Sequence, residues 1–233
     1  MRIRRKPWAR PELAASPFVI DEPEIWHGRW RSAFANPEAP LHIELGCGKG
    51  GFIAQKAFDT PDVNFLAVDL KSEVLGLAKR NAEKVFALGG CTVDNLRLTA
   101  YDIERIGNII APEDKIEKIY INFCNPWPKK RDFKHRLTHP RQLTQYRNFL
   151  LPGCELLFKT DDDMLFEATL EYLIACGFLI AEQIYDLAQS HVASSIMTEH
   201  ERMFREKGLP IHYIAAVLTE VNDETANFIN RRL

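Results

Sequence analysis

Short apolar runs alternate along the chain with longer segments in which apolar residues recur every three or four positions. The short runs predict β-strands, and the longer segments predict helices with one apolar face. In the longest such segment, Val74, Ala78, Ala82 and Val85 fall on one helical face. The predicted strands are Leu41–Leu45, Asn64–Asp69, Leu96–Tyr101, Lys118–Phe123, Glu155–Lys159, Phe178–Tyr185 and Ile211–Leu218, and the predicted helices are Gly51–Phe58, Lys71–Leu88, Pro140–Leu150 and Asp162–Cys176.

This alternation predicts an α/β fold. Strands that are apolar nearly throughout are typical of a parallel sheet covered on both faces. The polar stretch Gln189–Gly208 joins the last two strands without a clear helix, so we expect the last strand to be antiparallel. We therefore predict a seven-stranded, mostly parallel sheet in one domain, residues 41–220. An irregular, basic, proline-rich leader (residues 1–40) precedes this domain, and a short tail (residues 221–233) follows it.

The composition of the 233 residues, 46% hydrophobic and 27% charged, is that of a globular chain. No apolar run is long enough to cross a bilayer, and no apolar stretch follows the basic N-terminus as in a secretory signal. The five cysteines form no C-x-x-C pair, so neither a disulfide framework nor a zinc site is expected. A cytoplasmic location is the expectation, with no membrane and no metal partner.

Basic residues are concentrated in two segments of a chain whose formal net charge is −2. Residues 1–10 carry five basic and no acidic residues, and residues 126–147 carry seven basic residues and one acidic residue. The remainder of the chain is acidic. This segregation favours local contact with a polyanion such as a nucleic acid, although a solvated positive face would look the same.

A glycine-rich turn follows the first predicted strand and opens a helix. Gly46 and Gly48 permit a tight turn and the close approach of a ligand to the backbone. Asp69 ends the next strand, where a carboxylate can accept hydrogen bonds from ribose hydroxyls. The glycines also fit the dinucleotide pattern G-x-G-x-x-G. However, Glu44 would repel a diphosphate, and Glu44 together with Asp69 and Asp102 would attract cationic S-adenosylmethionine (SAM).

A second motif, Asn125-Pro126-Trp127-Pro128, follows the fourth predicted strand. It resembles the [N/D]-P-P-[Y/W/F] element with which many methyltransferases hold a target base. A flat Trp127 can stack on a base, and the cations that follow can bind phosphates. The alternative is a rigid Pro-Trp-Pro turn with a basic, solvated continuation.

Four blocks together resemble the tRNA (guanine-N7-)-methyltransferase (TrmB) family. They are Glu44-Leu-Gly-Cys-Gly-Lys-Gly, Asn125-Pro-Trp-Pro-Lys-Lys-Arg, Lys159-Thr-Asp161, and Ile196-Met-Thr-Glu-His-Glu-Arg-Met-Phe204 with Gly208-Leu-Pro-Ile211. The resemblance implies a Rossmann-like, class I SAM-dependent fold. It also implies an enzyme that methylates N7 of a guanosine in the tRNA variable loop.

The resemblance further implies roles for individual residues. The cofactor would be held by Glu44, Gly46, Gly48, Asp69, Asp102 and Asn125, and the substrate guanosine by Lys129, Asp161, Thr198, Glu199, His200 and Glu201. RNA would contact Lys130, Arg131, Lys134 and Arg136. Asp161 and Glu201 would accept from the N1–H and N2–H₂ donors of guanine, and Lys129 or Thr198 would donate to O6.

The chain departs from the family at Asn125, where the family usually has Asp. Because N7 carries a lone pair and no proton, its methylation requires no general base. Asn125, the expected catalytic position, therefore predicts retained activity with weaker SAM affinity. The alternatives are a SAM-dependent methyltransferase of another RNA or of a small amine, and a catalytically weak tRNA-binding protein. The sequence leaves open whether the protein is a monomer or a homodimer.

Overall fold

The computed structural model describes residues 5–190 and 196–220, which belong to two compact units, Met1–Asp114 and Lys115–Leu233. The tail predicted over residues 221–233 lies outside the described residues. The boundary between the units falls inside the domain predicted over residues 41–220. It follows a short turn, Pro112–Asp114, which is too brief to predict a boundary from composition. No helix in the described ranges is long and apolar enough to cross a membrane.

The first unit contains four parallel strands in the order β1-β4-β3-β2. The side chains of Phe65 to Val68 in β3 are completely buried, as the apolar run predicts. Two strands match the predicted bounds, and the helices begin and end within about one residue of them. The elements are α1 (Ala9–Ala14), β1 (Val19–Ile20), β2 (Leu41–Leu45), α2 (Gly51–Asp59), β3 (Asn64–Asp69), α3 (Ser72–Leu88) and β4 (Leu96–Ala100).

The leader is more regular than the sequence predicts, since it contains α1, β1 and two short 3-10 helices, Pro23–Trp26 and Trp30–Ala33. Tertiary contacts explain the difference. A Cβ built on Gly76 of α3 would lie 2.9 Å from Cβ of Ala9, so the missing side chain lets α1 pack closely. The buried carboxylate of Asp114 accepts N–H bonds from Gly28 and Trp30 and fixes the later part of the leader.

The second unit contains four strands in the order β5-β6-β8-β7. Strands β5 and β6 are parallel, and β8 is antiparallel to both β6 and β7, which confirms the prediction for the last strand. The described strands number eight rather than the predicted seven because β1 was not predicted. The elements are β5 (Ile116–Asn122), α4 (Pro140–Phe149), β6 (Leu150–Thr160), α5 (Asp163–Ala175), β7 (Phe178–Ile184), α6 (Glu199–Glu206) and β8 (His212–Leu218).

Helix α6 lies in the polar stretch where the sequence shows no clear helix. Its N-cap is Thr198, whose Oγ1 accepts the N–H of Glu201 at 2.9 Å. The eight residues of α6 include only two strongly apolar ones, Met203 and Phe204, so too few apolar positions recur for the sequence to predict a helix. The cap and tertiary contacts form the helix instead.

Candidate active site

The glycine loop of the first unit joins β2 to α2 with its backbone in the left-handed region. Gly46, Gly48 and Gly50 have φ values of 80°, 54° and 69°. The N–H groups of Gly46 and Cys47 both donate to the carbonyl of Val68 on β3, at 2.9 and 3.1 Å. The loop is therefore fixed to the end of the neighbouring strand before the helix begins.

One side of this loop is closely packed, and the other is open. A Cβ built on Gly50 would lie 2.6 Å from Cβ of Ala78 in α3, so this glycine is required for packing. A Cβ built on Gly48 or Gly51 would meet nothing within 4 Å. The backbone at Gly48 and Gly51 is thus open to a ligand.

Three carboxylates lie at the corresponding ends of three adjacent parallel strands. Glu44 is in β2 and only 2% exposed, half-buried Asp69 ends β3, and Asp102 follows β4 by two residues. Oδ2 of Asp69 accepts the N–H of Gly48 at 3.0 Å, so this carboxylate also supports the glycine loop. Oδ1 of Asp102 accepts the N–H of Glu104 at 3.0 Å and caps a 3-10 helix.

The thiol of Cys47, which was not predicted to be part of the site, lies in the field of two of these carboxylates. Burial raises the pKa of the Cys47 thiol well above its ordinary value, and the carboxylates of Asp69 and Glu44 raise it further. Two acids therefore act on one buried point in the loop. Such a site attracts a cationic group and repels an anionic one.

The loop after β5 is a rigid turn in the second unit. Oδ1 of Asn125 accepts the N–H of Trp127 at 3.2 Å, and Phe123 and Trp127 have φ values of 51° and 45°. Positive φ is unfavourable for residues with large side chains, and such residues are frequent at functional sites. Asn125 is exposed, and its side-chain oxygen supports the turn.

The prediction that Arg136 contacts RNA is wrong for this structure, because Arg136 is only 1% exposed. Its Nε donates to the carbonyl of Pro126 at 2.8 Å, and its guanidinium lies 3.6 Å from the ring centroid of Phe133. The Pro126 carbonyl in the turn and the Phe133 ring in the following 3-10 helix explain why a cation is buried here. Arg136 stabilises the Pro-Trp-Pro turn from inside.

The other predicted cations of this segment are exposed. Lys129, Lys130, Arg131 and Lys134 lie in or beside the 3-10 helix Lys130–His135. The side chain of Arg131 is 78% exposed and lies 3.8 Å from the carboxylate of Asp132. All four side chains are therefore accessible to solvent.

The three consecutive aspartates after β6 have different environments. Oδ1 of Asp162 caps α5 by accepting the N–H of Leu165 at 2.7 Å, and Oδ1 of Asp163 lies 2.6 Å from Nε2 of His212. Within the described ranges, half-buried Asp161 has no side-chain hydrogen bond or ion pair. Asp161 is thus the acid of this group whose acceptor sites remain open to a substrate.

Glu201 does not have the free carboxylate expected of a substrate ligand. Its side chain is 0% exposed, and Oε2 accepts from Nζ of Lys159 at 3.0 Å while Oε1 accepts from Nη2 of Arg205 at 2.6 Å. Thr198 is 7% exposed and uses its hydroxyl to cap α6. Two cations and a buried position fix Glu201 as part of an ion triad that joins α6 to β6.

Sequence reasoning missed Lys159 and Arg205 as members of this triad. The four-residue spacing of Glu201 and Arg205 is a local signal for an ion pair on a helix. No local signal exists for Lys159, which is 42 positions from Glu201. Its apolar neighbours in β6 mark a strand, and only the packing of α6 gives its ammonium a partner.

His200, a predicted substrate residue, is exposed and lies in an aromatic cluster with Phe123 and Phe204. The His200 and Phe123 rings are stacked, with centroids 5.9 Å apart and planes 21° from parallel. The Phe123 ring is also 5.9 Å from Phe204. Because the N–H of Phe123 donates to the carbonyl of Lys159, the cluster lies at the ends of β5 and β6. The side chain of Glu199 is outside the described part of the structure.

No group of three His, Cys, Asp or Glu side chains that could hold a metal ion occurs among residues 5–190 and 196–220. In the first unit, the site offers an acidic cradle, formed by Glu44, Asp69 and Asp102, beside the open glycine loop. In the second unit, it comprises an available carboxylate with aromatic and basic neighbours.

Comparison with known proteins gives matches along nearly the whole chain. A protein-family model described as "Putative methyltransferase" matches residues 38–214. A tRNA (guanine-N(7)-)-methyltransferase of Clostridium perfringens (strain SM101 / Type A) is 51% identical over 93% of this chain and 99% of the relative. A protein of the same name from Ruminiclostridium cellulolyticum is 52% identical over 93% of this chain and 92% of the relative.

Solved structures with low sequence identity share the fold. The 16S rRNA methyltransferase KamB has a TM-score of 0.56 and 14% identity, covering 78% of this chain and 88% of that one. A variant of the 16S rRNA (adenine(1408)-N(1))-methyltransferase from Catenulisporales acidiphilia has a TM-score of 0.55 and 13% identity, covering 86% and 93%. These likenesses confirm the predicted Rossmann-like class I methyltransferase fold.

Proposed function

The chain belongs to the tRNA (guanine-N(7)-)-methyltransferase family, and from this membership we propose that it transfers the methyl group of SAM to N7 of a guanosine in tRNA. The variable loop is the position that the resemblance implies. The observation that carries the proposal is the acidic cradle at the glycine loop, which suits a cationic methyl donor. Identity of about half over nearly the full length supports the same reaction on the same class of substrate.

We assign SAM binding to Glu44, Gly46, Gly48, Asp69 and Asp102. The residues present fit the group, because the loop backbone is open at Gly48 and the surrounding charge is negative. Each oxygen of Asp69 accepts one backbone N–H, from Gly48 or from Lys71, and retains a second lone pair for a ribose hydroxyl. A dinucleotide would instead bring its diphosphate towards Glu44 and Asp69, which disfavours a nicotinamide cofactor.

We assign recognition of the guanine edge to Asp161, with Lys129 and His200 as further contacts. Guanine presents N–H donors at N1 and N2 and an acceptor at O6, so a carboxylate and an ammonium are complementary to it. Thr198 and Glu201 act indirectly, because the cap and the ion triad hold α6 and place His200 beside Phe123. A guanosine in folded tRNA has to leave its stack to reach such a site.

The chain's own residues need to align the base and stabilise charge rather than remove a proton. SAM supplies a methyl group activated by a sulfonium, and its transfer to N7 leaves a neutral thioether and a cationic guanine ring. The carboxylate of Asp161 is stabilising for that positive ring. Asn125 holds the turn through the Trp127 N–H, and its neutral amide attracts the SAM ammonium less than a carboxylate would. We therefore expect activity with reduced SAM affinity.

The test is transfer of tritiated methyl from SAM to a tRNA transcript, followed by nucleoside analysis for 7-methylguanosine. We expect Asp161→Asn to lower kcat/KM for tRNA about 10- to 100-fold, because a charge-assisted hydrogen bond contributes about 1.5–3 kcal/mol. The dissociation constant for SAM should not change. Asp163→Asn is the matched control, since Asp163 is exposed and pairs with His212; it should stay within about threefold.

Three results would contradict the proposal. Wild-type protein that binds tRNA without incorporating methyl would be a binding protein. Methyl incorporated at another atom would indicate a different RNA methyltransferase. Equal effects of the Asp161 and Asp163 variants would remove Asp161 from substrate recognition.

A further inference from the structure

A basic cavity lies in the first unit between α1 and the start of α3. Its volume is about 230 Å³, and it is lined by Arg5, Lys6, Pro7, Ala9, Arg10 and Glu73. Three of these six residues are cations, and only one is acidic. The cavity therefore carries a net positive charge in a chain whose formal net charge is −2.

Among the described residues, none of the three cations has an anionic partner. In the described part of the chain, Arg5, Lys6 and Arg10 form neither an ion pair nor a side-chain hydrogen bond, and Lys6 lies 5.7 Å from the Trp8 ring centroid. Nearby cations on α3 are paired, since Arg80 contacts Glu12 at 2.5 Å. Like charges gathered around one cavity repel each other, and an anion bound between them relieves the repulsion.

The wall of the cavity is fixed. Ala9 is completely buried against Gly76, and the Arg80 guanidinium lies 3.6 Å from the ring centroid of Trp8 while it holds Glu12. Helix α1 is thereby held against α3 at positions on either side of Arg10. A ligand would meet cations on a preorganised surface, which lowers the entropy lost on binding.

The cavity lies at the same end of the unit as the acidic cradle. Glu73 is in the first turn of α3, four residues after Asp69. A polyanion delivering a base to the cofactor end of the sheet therefore passes close to it. Three cations without an anionic partner among the described residues are complementary to the phosphates of a nucleic-acid backbone.

We propose that this basic cavity binds backbone phosphates of the tRNA that presents the target guanosine. The inference rests on the proposed function for the identity of the RNA. It adds a second contact surface, on the first unit, to the exposed cations of residues 129–134. The first unit would then contribute tRNA affinity in addition to cofactor binding.

The test compares two double variants by fluorescence anisotropy with labelled tRNA at 50–250 mM KCl. Arg5→Gln/Arg10→Gln removes two cavity cations, and Lys56→Gln/Lys84→Gln removes two cations in the C-terminal parts of α2 and α3. Both change the net charge equally. Each phosphate contact contributes about 0.7–0.9 to the slope of log affinity against log salt. The cavity variant should lower the slope by about 1.4–1.8 and raise Kd about 20-fold at 150 mM salt.

The control variant should keep the wild-type slope and Kd, and both variants should keep the wild-type SAM affinity. An unchanged slope in the cavity variant, or an equal change in both variants, would overturn the inference. Failure of the proposed function is separately visible, because wild-type protein would then form no 7-methylguanosine. Loss of SAM binding in the cavity variant would show that the replacements damage the first unit. The charge-conserving Arg5→Lys/Arg10→Lys variant then decides. A wild-type salt slope in that variant supports phosphate binding by the cavity, and a lowered slope refutes it.

Discussion

The ion triad of Lys159, Glu201 and Arg205 gives the sharpest test of the second unit, because the sequence and the structure assign Glu201 different roles. Resemblance implies a carboxylate that contacts guanine. The structure shows a completely buried carboxylate between two cations, at 3.0 Å from Lys159 and 2.6 Å from Arg205. Replacing Glu201 with Ala separates the two roles, since only the structural role predicts a large loss of stability.

The magnitude follows from the burial of each partner. The Lys159 side chain is 6% exposed, so Glu201→Ala leaves its ammonium nearly buried without a counter-charge. Removal of one member of a buried pair lowers the free energy of unfolding by about 3–5 kcal/mol. Lys159→Met should cost less, because the carboxylate keeps Arg205. The double variant Lys159→Met/Glu201→Leu should recover about half of the loss, because it removes both buried charges.

The assay is urea denaturation followed by circular dichroism, with KM for tRNA measured where each variant remains folded. Glu206→Ala, at an exposed position of the same helix, is the control and should change the free energy of unfolding by less than about 0.5 kcal/mol. The structural assignment is refuted if Glu201→Ala lowers the free energy of unfolding by less than about 1 kcal/mol while KM for tRNA rises. That result would return Glu201 to the substrate site.

Three other predictions concern the loops and the core. Gly50→Ala should destabilise the fold by about 2–3 kcal/mol in thermal unfolding, because the new residue would have positive φ and its Cβ would also clash with Ala78. Gly48→Ala should cost about 1 kcal/mol, because only the positive φ is unfavourable there, and it should mainly weaken SAM binding measured by calorimetry. Arg131→Gln should lower the salt slope of tRNA binding by about 0.7–0.9, because Arg131 is exposed. Arg136→Met should lower the melting temperature and leave that slope unchanged, because Arg136 is buried. Equal slopes for the two variants would contradict the structural role of Arg136. Burial raises the pKa of Cys176 from 9.0 to about 11, so the folded thiol keeps a proton that the unfolded thiol loses. The free energy of unfolding should fall by up to about 3 kcal/mol as pH rises from 9 to 11, and Cys176→Ala, compared with wild type by urea denaturation, should abolish this part of the pH dependence.

The apolar strands, the glycine loop and the acids at the strand ends were predictable from the sequence. A buried strand requires a continuous apolar run, and a tight turn requires glycine, so local composition carries both signals. Asp69 lies in the predicted place because a parallel sheet collects the C-terminal ends of its strands at one edge. The correct bounds of β2 and β3 and the position of Asp102 after β4 follow from the same rules.

Only the tertiary structure decided that Arg136 and Glu201 are buried. The sequence shows that Arg136 and Glu201 carry charge. It does not show whether the folded chain places a compensating partner beside either of them. Arg136 is buried because the Pro126 carbonyl and the ring of Phe133 lie beside it. Glu201 is buried because Lys159, 42 positions away, lies beside it. Burial of an apolar side chain is favourable in itself, so the sequence pattern predicts it. A charged side chain is buried only where distant residues compensate its lost hydration. Arg131 and Arg136 are similar in sequence context, and only folding separates the solvent-exposed cation from the structural one.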